Sequence, residues 1–337
     1  RRCGKPGRNR AEGPGRFPAR RNFRFFDGIV QILVNVASRH RRLALSLRHP
    51  RHCAALFIFL LLLFSSPARA AKVLIVGDLH YALVAGVAAD IQLALRSQVA
   101  EYQVSEVKGQ LNAIVEREYA RVVVALGMDA VAEALRLPPE VAVVYGLVVV
   151  PPENAGLNVT GVYMSPPVSE YVALVKRYLP AITKVSVVGS RIMMKTLFNS
   201  DPALTTANDV ESPADLVDTV DRLVDTKALL LLPDANLLTA QVMTNIYLFS
   251  FRKNIPLLGI SEAGVKQGSL FALVFDPKMV SRQIGEKVQT ILNGVDATEI
   301  LASPPRGYNL YINSKTAQKM GIAIPDEMLQ KAKRIYQ

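Results

Sequence analysis

Polar, acidic and aromatic residues follow the ends of several short apolar runs in this sequence, and they are the residues whose chemistry could serve a function. A carboxylate can pair with an ammonium group, and the N–H groups at a helix N-terminus can bind a carboxylate. The mixture suits recognition of a small zwitterion. The candidate binding residues are Asp78, His80, Tyr81, Met128, Asp129, Tyr145, Asp234, Asn236, Ser261 and Glu262.

Each candidate also has a purely structural interpretation. Asp129 and Ser261 can cap helices, Asp234 can begin a turn, and His80 can be a packed, hydrogen-bonded side chain. Binding is favoured by the position that the candidates share, because ligands of α/β sheets bind beyond the carboxyl ends of the strands.

Signatures of catalysis and of cofactor binding are missing from residues 71–337. That segment has one histidine, His80, and it lacks the G-x-S-x-G, H-E-x-x-H and P-loop motifs. The first apolar run leads into Gly77-Asp-Leu-His-Tyr81 rather than a G-x-G-x-x-G turn, which argues against a dinucleotide site. We therefore predict a binding protein without catalytic residues, cofactor or metal. An enzyme built on scattered carboxylates is the alternative.

Strands and helices that alternate along the chain must position these residues. Short apolar, β-branched runs are typical of strands buried on both faces of a parallel sheet. These runs are Lys72–Gly77, Arg121–Gly127, Val141–Gly146, Lys184–Gly189, Lys227–Pro233 and Ile255–Ile260. The predicted helices between and after them are Ala82–Arg96, Asp129–Leu135, Ser169–Tyr178, Pro213–Val224, Thr239–Lys253 and Pro277–Leu292. This alternation predicts an α/β fold.

The series of strands and helices starts again in the middle of the chain. Lys184–Gly189 repeats the Lys, the apolar run and the Gly of the first strand, and the turn-rich stretch Asn158–Pro167 before it suits a crossover. We predict two Rossmann-like lobes, each a parallel sheet flanked by helices. Lobe 1 covers residues 71–162 and lobe 2 residues 163–337, with crossover segments that return to lobe 1 near 262–300. The interlobe cleft would close by hinge motion.

The N-terminal part has a different character. An apolar run at Ala54–Phe64 follows a basic region and precedes the small-residue site Ala68-Arg69-Ala70, which is the order of a secretory signal peptide. The run is shorter than the roughly 20 residues that a membrane-spanning helix needs. We predict a signal peptide at residues 41–70, with an uncleaved anchor as the alternative. Residues 1–40 read as a disordered basic extension, part of which can be upstream sequence read in frame.

The balance of basic and acidic residues also differs between the N-terminal part and the rest of the chain. Residues 1–52 hold 14 Lys and Arg against 2 Asp and Glu, whereas residues 71–337 hold 25 against 26. The net charge of +12 therefore lies in the part predicted to be removed, and the remainder has no basic excess for binding nucleic acid. Both cysteines, Cys3 and Cys53, lie in the same part. We therefore predict an exported, thiol-free domain that depends on its apolar core.

The C-terminal third resembles a known family. The segments concerned are Lys253–Pro277, Arg282–Glu286, Ile291–Gly294, Leu310–Ala317 and Met320–Pro325, with Asn158–Val162 and Leu232–Ala235 before them. They are similar to the ABC-transporter substrate-binding proteins of the type I periplasmic-binding fold. The connection from Gly189 to Val210 looks short beside that family, which usually has a full helix there.

The resemblance implies a periplasmic, monomeric protein that delivers a small solute to an ABC permease in the inner membrane, without turnover. The solute would be amino-acid-like or another small polar or aromatic molecule. Sugars are disfavoured because the chain has no Trp, whereas Tyr81 and Tyr145 could stack on an aromatic or apolar group. The alternative is a membrane-associated sensor or interaction protein that reuses the fold without transport.

Overall fold

The structure is a computed structural model that describes residues 72–95, 98–199 and 201–337. The predicted basic extension, the predicted signal peptide and both cysteines lie outside the described residues. Among the helices that are described, none is both long enough and apolar enough to cross a membrane.

Strands and helices alternate along most of the described chain. The strands are β1 Lys72–Gly77, β2 Val99–Gln103, β3 Ala120–Leu126, β4 Ala142–Val148, β5 Val159–Tyr163, β6 Val185–Gly189, β7 Thr205–Asp209, β8 Ala228–Leu231, β9 Leu257–Gly259, β10 Phe271–Phe275, β11 Tyr308–Asn313 and β12 Ala332–Tyr336. The helices are α1 Ala82–Ala94, α2 Val104–Val107, α3 Leu111–Glu118, α4 Met128–Ala134, α5 Val168–Tyr178, α6 Arg191–Leu197, α7 Pro213–Asp221, α8 Ala240–Lys253, α9 Glu262–Gln267, α10 Pro277–Leu292, α11 Ser314–Met320 and α12 Asp326–Lys331.

The first sheet contains five parallel strands in the order β2-β1-β3-β4-β5. β4 is buried along its whole length, and β3 is buried at every residue except Arg121. Helices cover both faces, with α1 and α10 packed on one face and α2, α3 and α4 on the other. The continuous valine-rich runs therefore form interior strands, as expected for a parallel sheet covered on both faces.

The second sheet has seven strands in the order β12-β11-β10-β9-β8-β6-β7. It is mixed rather than wholly parallel, because β10 and β11 pair antiparallel. The physical reason lies in the chain path. The chain leaves this sheet after Phe275 and re-enters it at Tyr308, and these two residues are paired, so the returning strand must run in the opposite direction.

Three crossovers connect the two sheets. The first follows Tyr163 at the end of β5, the second lies between Phe275 and α10, and the third enters β11 at Tyr308. Between the second and third crossovers, α10 packs against α1 and β4, and a 3₁₀ turn at Ala297–Glu299 lies beside β5. The segment that returns to the first sheet is therefore residues 277–303, whereas α9 packs on the second sheet.

Two local expectations differ from the structure. The predicted crossover Asn158–Pro167 contains a regular strand, β5, which pairs with β4 before the chain leaves the sheet. Asp129 does not cap α4, because the helix begins one residue earlier with Gly127 as its N-cap residue at φ +91°. Glycine adopts that backbone conformation at little cost, so the turn after β3 is built by Gly127 rather than by a carboxylate cap.

Candidate functional site

The candidate site lies at the carboxyl ends of the strands, where short loops lead into helices. In the first sheet, β1 is followed by the loop 78–81, β3 by the N-terminus of α4, and β4 by the loop 149–153. In the second sheet, β6 leads into α6, β8 into the loop 232–239, and β9 into α9. Strands of a parallel sheet end on the same edge, so each set of loops is gathered at one edge of its sheet.

An apolar cavity of about 400 Å³ joins elements of the two lobes. Lobe 1 contributes one face of α4 and the loop after β4, and lobe 2 contributes the start of α6. The lining residues are Met128, Val131, Ala132, Leu135, Val149, Val150, Pro151, Pro152, Glu153, Ile192 and Met193. Glu153 is the one charged residue in this set. We call this space the interlobe cavity.

Of the ten candidate residues, Met128 alone lines the interlobe cavity. Its side chain is 57% exposed at the first position of α4. Asp129, the next residue, points elsewhere because successive helical residues are rotated by about 100°. It lines a separate cavity of about 440 Å³ on lobe 1, together with Lys108, Glu133 and Arg136.

The loop after β1 forms a local turn. The carboxylate of Asp78 accepts a hydrogen bond from the backbone N–H of His80 at 3.2 Å, and the same oxygen lies 3.1 Å from Nδ1 of the His80 ring. His80 and Tyr81 are both exposed, with Tyr81 at 67%. Asp78 and His80 are thus held together at the strand-end edge of lobe 1, next to the exposed Tyr81.

Asp234 joins two loops of lobe 2. Its carboxylate accepts a hydrogen bond from the hydroxyl of Ser190 at 2.7 Å and another from the backbone N–H of Asn236 at 2.9 Å. Ser190 is the residue before α6, and Ile192 and Met193 of that helix line the interlobe cavity. Asp234 is therefore linked to the residue that precedes α6, whereas Asn236 is exposed in the turn that follows.

Ser261 caps α9, as the sequence allowed, because its hydroxyl accepts a hydrogen bond from the backbone N–H of Gly264 at 3.0 Å. It also lines a second, smaller cavity of about 220 Å³ between α8 and α9, with Met243 and Tyr247 among its other lining residues. That cavity belongs to lobe 2 alone.

Glu262 is engaged by the C-terminal strand. Its carboxylate accepts a hydrogen bond from the hydroxyl of Tyr336 and lies 3.3 Å from both Arg334 and Lys266. The hydrogen bond from Tyr336, with those from the two cations, holds the pKa of Glu262 below its usual range. This carboxylate therefore links α9 to β12.

Tyr145 is buried in lobe 1, with 1% of its surface exposed. Its ring lies over Gly161 of β5, where an added Cβ would come closer than 3.0 Å to the ring. Burial raises the pKa of its hydroxyl, and a charge on Tyr163 would raise it further. The structure thus places this ring inside the fold rather than on the cleft surface.

Sequence reasoning missed most of the interlobe cavity. A signal was present in the run Val148-Val-Val-Pro-Pro152, which stays apolar beyond the end of β4, where a surface loop would normally be polar. The exposed Ile192 was a second signal, since it lies in the first turn of a helix that follows a buried strand. Among the residues that the structure describes, no group of three or more His, Cys, Asp or Glu could hold a metal ion.

Comparison with known proteins gives a family match. The family model described as ABC transporter substrate binding protein matches residues 141–336. No curated protein matched the sequence.

Three solved structures share the fold of this chain, and each covers 79% of it and 99% of its own length. An ABC domain from Streptococcus pneumoniae in complex with L-Trp has a TM-score of 0.52 at 18% identity. A conserved domain protein from Vibrio cholerae has 0.53 at 19%. A ligand-free, open substrate binding protein with adhesive properties from Clostridium difficile has 0.58 at 14%. Identities this low establish the fold alone, and they confirm the predicted two-lobed α/β architecture.

Proposed function

This chain belongs to the ABC transporter substrate binding protein family, and from that premise we propose that it captures one small solute between its lobes and delivers it to the permease of an ABC transporter. Substrate binding proteins generally do not catalyse a reaction, so we expect reversible binding without turnover. We propose that it acts outside the cytoplasmic membrane, where members of this family work. It would act there as a single chain that meets its permease after loading.

The observation that carries this proposal is the interlobe cavity. Its volume of about 400 Å³ falls within the roughly 300–1,000 Å³ typical of small-molecule sites. Walls from both lobes allow a solute to be enclosed when the lobes close. A cavity within one lobe could bind a ligand but could not couple binding to closure.

The lining of the cavity indicates the kind of solute. Ten of its eleven lining residues are apolar, and Glu153 is the exception. Burial of apolar area drives binding in such a site by about 25 cal/mol per Å². We therefore propose a solute with an apolar or aromatic body and one polar end, such as an amino acid or a related small molecule. The L-Trp complex of the similar pneumococcal protein makes aromatic amino acids the first class to test.

The polar end of the solute needs partners outside the cavity walls. We propose the loop 78–81 for lobe 1, since Asp78, His80 and Tyr81 are held together at its strand-end edge. In lobe 2 we propose that Asp234 acts indirectly, by holding Ser190 and thereby α6. Met128 contributes its exposed side chain to the apolar wall.

A thermal-shift screen of the purified protein tests this function. Aromatic and aliphatic amino acids, short peptides, nucleosides and sugars are each titrated against the protein. A ligand at 100 times its Kd should stabilise the folded state by about 2.7 kcal/mol. If no class raises the melting temperature, the proposal fails, and a sensor or interaction protein becomes the better account.

Variants then locate the site. Met128→Glu and Ile192→Glu place a charge in the cavity and should weaken binding by at least about 10-fold, because a desolvated charge is costly. Leu248→Glu is the matched control, since Leu248 has a similar exposure of 54% on a helix that does not line the cavity. Equal binding by all three variants would place the solute elsewhere.

Asp234 needs a pair of variants. Asp234→Asn keeps an oxygen that can accept the hydrogen bond from Ser190, whereas Asp234→Ala does not. If Asp234 acts by positioning α6, the Asn variant retains most of the affinity and the Ala variant loses it. Equal loss in both variants would instead show that the carboxylate contacts an ammonium group directly.

A further inference from the structure

Three tyrosines meet where the lobes join. Tyr163 is the last residue of β5, from which the first crossover departs, and Tyr308 is the first residue of β11, where the third crossover ends. Tyr308 is paired with Phe275, from which the second crossover leaves. Tyr145 belongs to β4, next to β5. We call Tyr145, Tyr163 and Tyr308 the hinge tyrosine cluster.

Register and packing place the ring of Tyr163 next to each of the other two. Tyr145 is opposite Gly161 in the β4–β5 ladder, and its ring lies over that glycine. Tyr163 is two residues further along β5, so its side chain is on the same face of the sheet. Tyr163 packs both against the hydrophobic cluster that contains Tyr145 and against the lobe 2 cluster on which Tyr308 packs. It therefore bridges the two lobes.

Two of the three hydroxyls in this cluster have no protein partner among the described residues. Those of Tyr145 and Tyr308 are buried and have no hydrogen-bond partner among the described residues. A nearby tyrosine shows the contrast, because the fully buried Tyr171 donates a hydrogen bond to the carbonyl of Gly259 at 3.0 Å. Buried hydroxyls in native proteins are nearly always paired, with protein or with ordered water.

The phenols of the hinge tyrosine cluster stay protonated, which favours hydrogen bonding to ordered water. Burial raises the pKa of Tyr145, Tyr163 and Tyr308, and nearby Glu170 raises that of Tyr308 further. A charge on Tyr163 would raise the pKa of both other phenols, which agrees with its place between them. Each phenol is therefore neutral at physiological pH and can both donate and accept a hydrogen bond.

We propose that the hinge tyrosine cluster is a binding site for ordered water, which accepts and donates hydrogen bonds between the phenols of lobe 1 and that of lobe 2. A buried water needs about two to four polar partners, and the cluster supplies three hydroxyls. Because Tyr145 lies in lobe 1 and Tyr308 enters lobe 2, the water adds a hydrogen-bonded link across the hinge to the packing made by Tyr163.

A double-mutant cycle tests the link with the full chain. Tyr145→Phe and Tyr308→Phe should each lower the melting temperature, since each leaves the water one partner short. The double variant should lose no more than the worse single variant, because the water is already released. Additive losses, or a rise in melting temperature in either single variant, would overturn the proposal.

Thr160→Val is the matched control. The hydroxyl of Thr160 is also buried without a partner among the described residues, but its side chain lies on the opposite face of the sheet from Tyr163. We expect this variant to melt at or above the temperature of the unmodified protein. A loss as large as in the tyrosine variants would show that the cluster has no special role.

A crystal structure of the unliganded protein gives the direct test. It should show ordered water within roughly 2.6–3.0 Å of the hydroxyls of Tyr145 and Tyr308. Density that appears only with bound solute would assign the site to a polar group of the solute instead. Hydroxyls that pair with each other or with protein atoms would also overturn the proposal.

Discussion

The close contact between Gly161 of β5 and Tyr145 of β4 can be tested by adding one methyl group at position 161. An alanine Cβ at position 161 would come closer than 3.0 Å to the ring of Tyr145 and to the backbone carbonyl oxygen of Tyr145. The ring could turn away, but the carbonyl belongs to the neighbouring strand of the same ladder. Relief of this second contact requires β4 and β5 to move apart.

The expected loss of stability in Gly161→Ala depends on which atoms the added methyl group meets. Overpacking of a core by one methyl group costs about 1–3 kcal/mol, and a backbone obstacle places Gly161→Ala in the upper part of that range. For a domain of this size, 1 kcal/mol corresponds to about 2–4 °C in melting temperature. We therefore expect a decrease of roughly 4–12 °C.

The assay is thermal unfolding followed by circular dichroism, with Gly86→Ala as the control. Gly86 is an exposed residue of α1, and an added Cβ there meets no atom within 4 Å. Alanine is favoured over glycine in a helix by up to about 1 kcal/mol, so the control variant should melt slightly higher. If Gly161→Ala melts with the unmodified protein, the reasoning about the β4–β5 contact is wrong.

Three further predictions concern other parts of the fold. Asn313→Ala removes two buried side-chain hydrogen bonds, at 2.7 and 2.8 Å, and should lower the free energy of unfolding in urea by about 2–3 kcal/mol; a change below about 0.5 kcal/mol would contradict this. The hydrogen bond from Gly109 N–H, aided by a neighbouring arginine, holds the pKa of Glu133 below its usual value. The ionised Glu133 side chain therefore stabilises the fold at a pH above its unfolded-state pKa. This stabilisation is lost as the pH falls through the folded-state pKa. Glu133→Gln should therefore flatten the acid side of the melting-temperature profile, and an unchanged slope would rule this out. Gln283→Leu breaks the bond from Arg306 N–H at 2.8 Å and should speed hydrogen exchange of that amide in the third crossover, while equal exchange rates would show that Gln283 does not restrain it.

The central strands were predictable because nearly all of their residues are buried, and α10 was predictable because Pro277 begins it and Asn293-Gly294 follows it. β1 and α10 have the predicted bounds, Lys72–Gly77 and Pro277–Leu292. β7 was missed, because its sequence Thr205-Thr-Ala-Asn-Asp209 has no apolar run and only Thr205 is buried. It is the last strand at one edge of its sheet, and an edge strand has only one neighbour and needs fewer apolar residues.

The site was less predictable than the fold because strand ends do not show where side chains point. Met128 and Asp129 are neighbours in sequence, yet they line different cavities. The bond between Ser190 and Asp234 joins residues 44 positions apart, and no local pattern announces such a contact. Tyr145 looked like a surface ring at a strand end, but β4 continues to Val148 and keeps it inside.

The two candidate carboxylates of lobe 2, Asp234 and Glu262, are both already paired. Asp234 accepts two hydrogen bonds, and Glu262 is close to two cations and a phenol. A new ammonium partner would have to compete with these donors, so neither carboxylate gains a full new interaction. For the proposed solute we therefore expect selection to depend largely on the apolar walls of the interlobe cavity. There, one methylene group is worth about 0.8 kcal/mol, or roughly 4-fold in affinity. Such a site separates similar apolar solutes weakly but rejects charged ones strongly, because a charge enclosed against Met128 and Ile192 loses its water and finds no counter-ion except at Glu153.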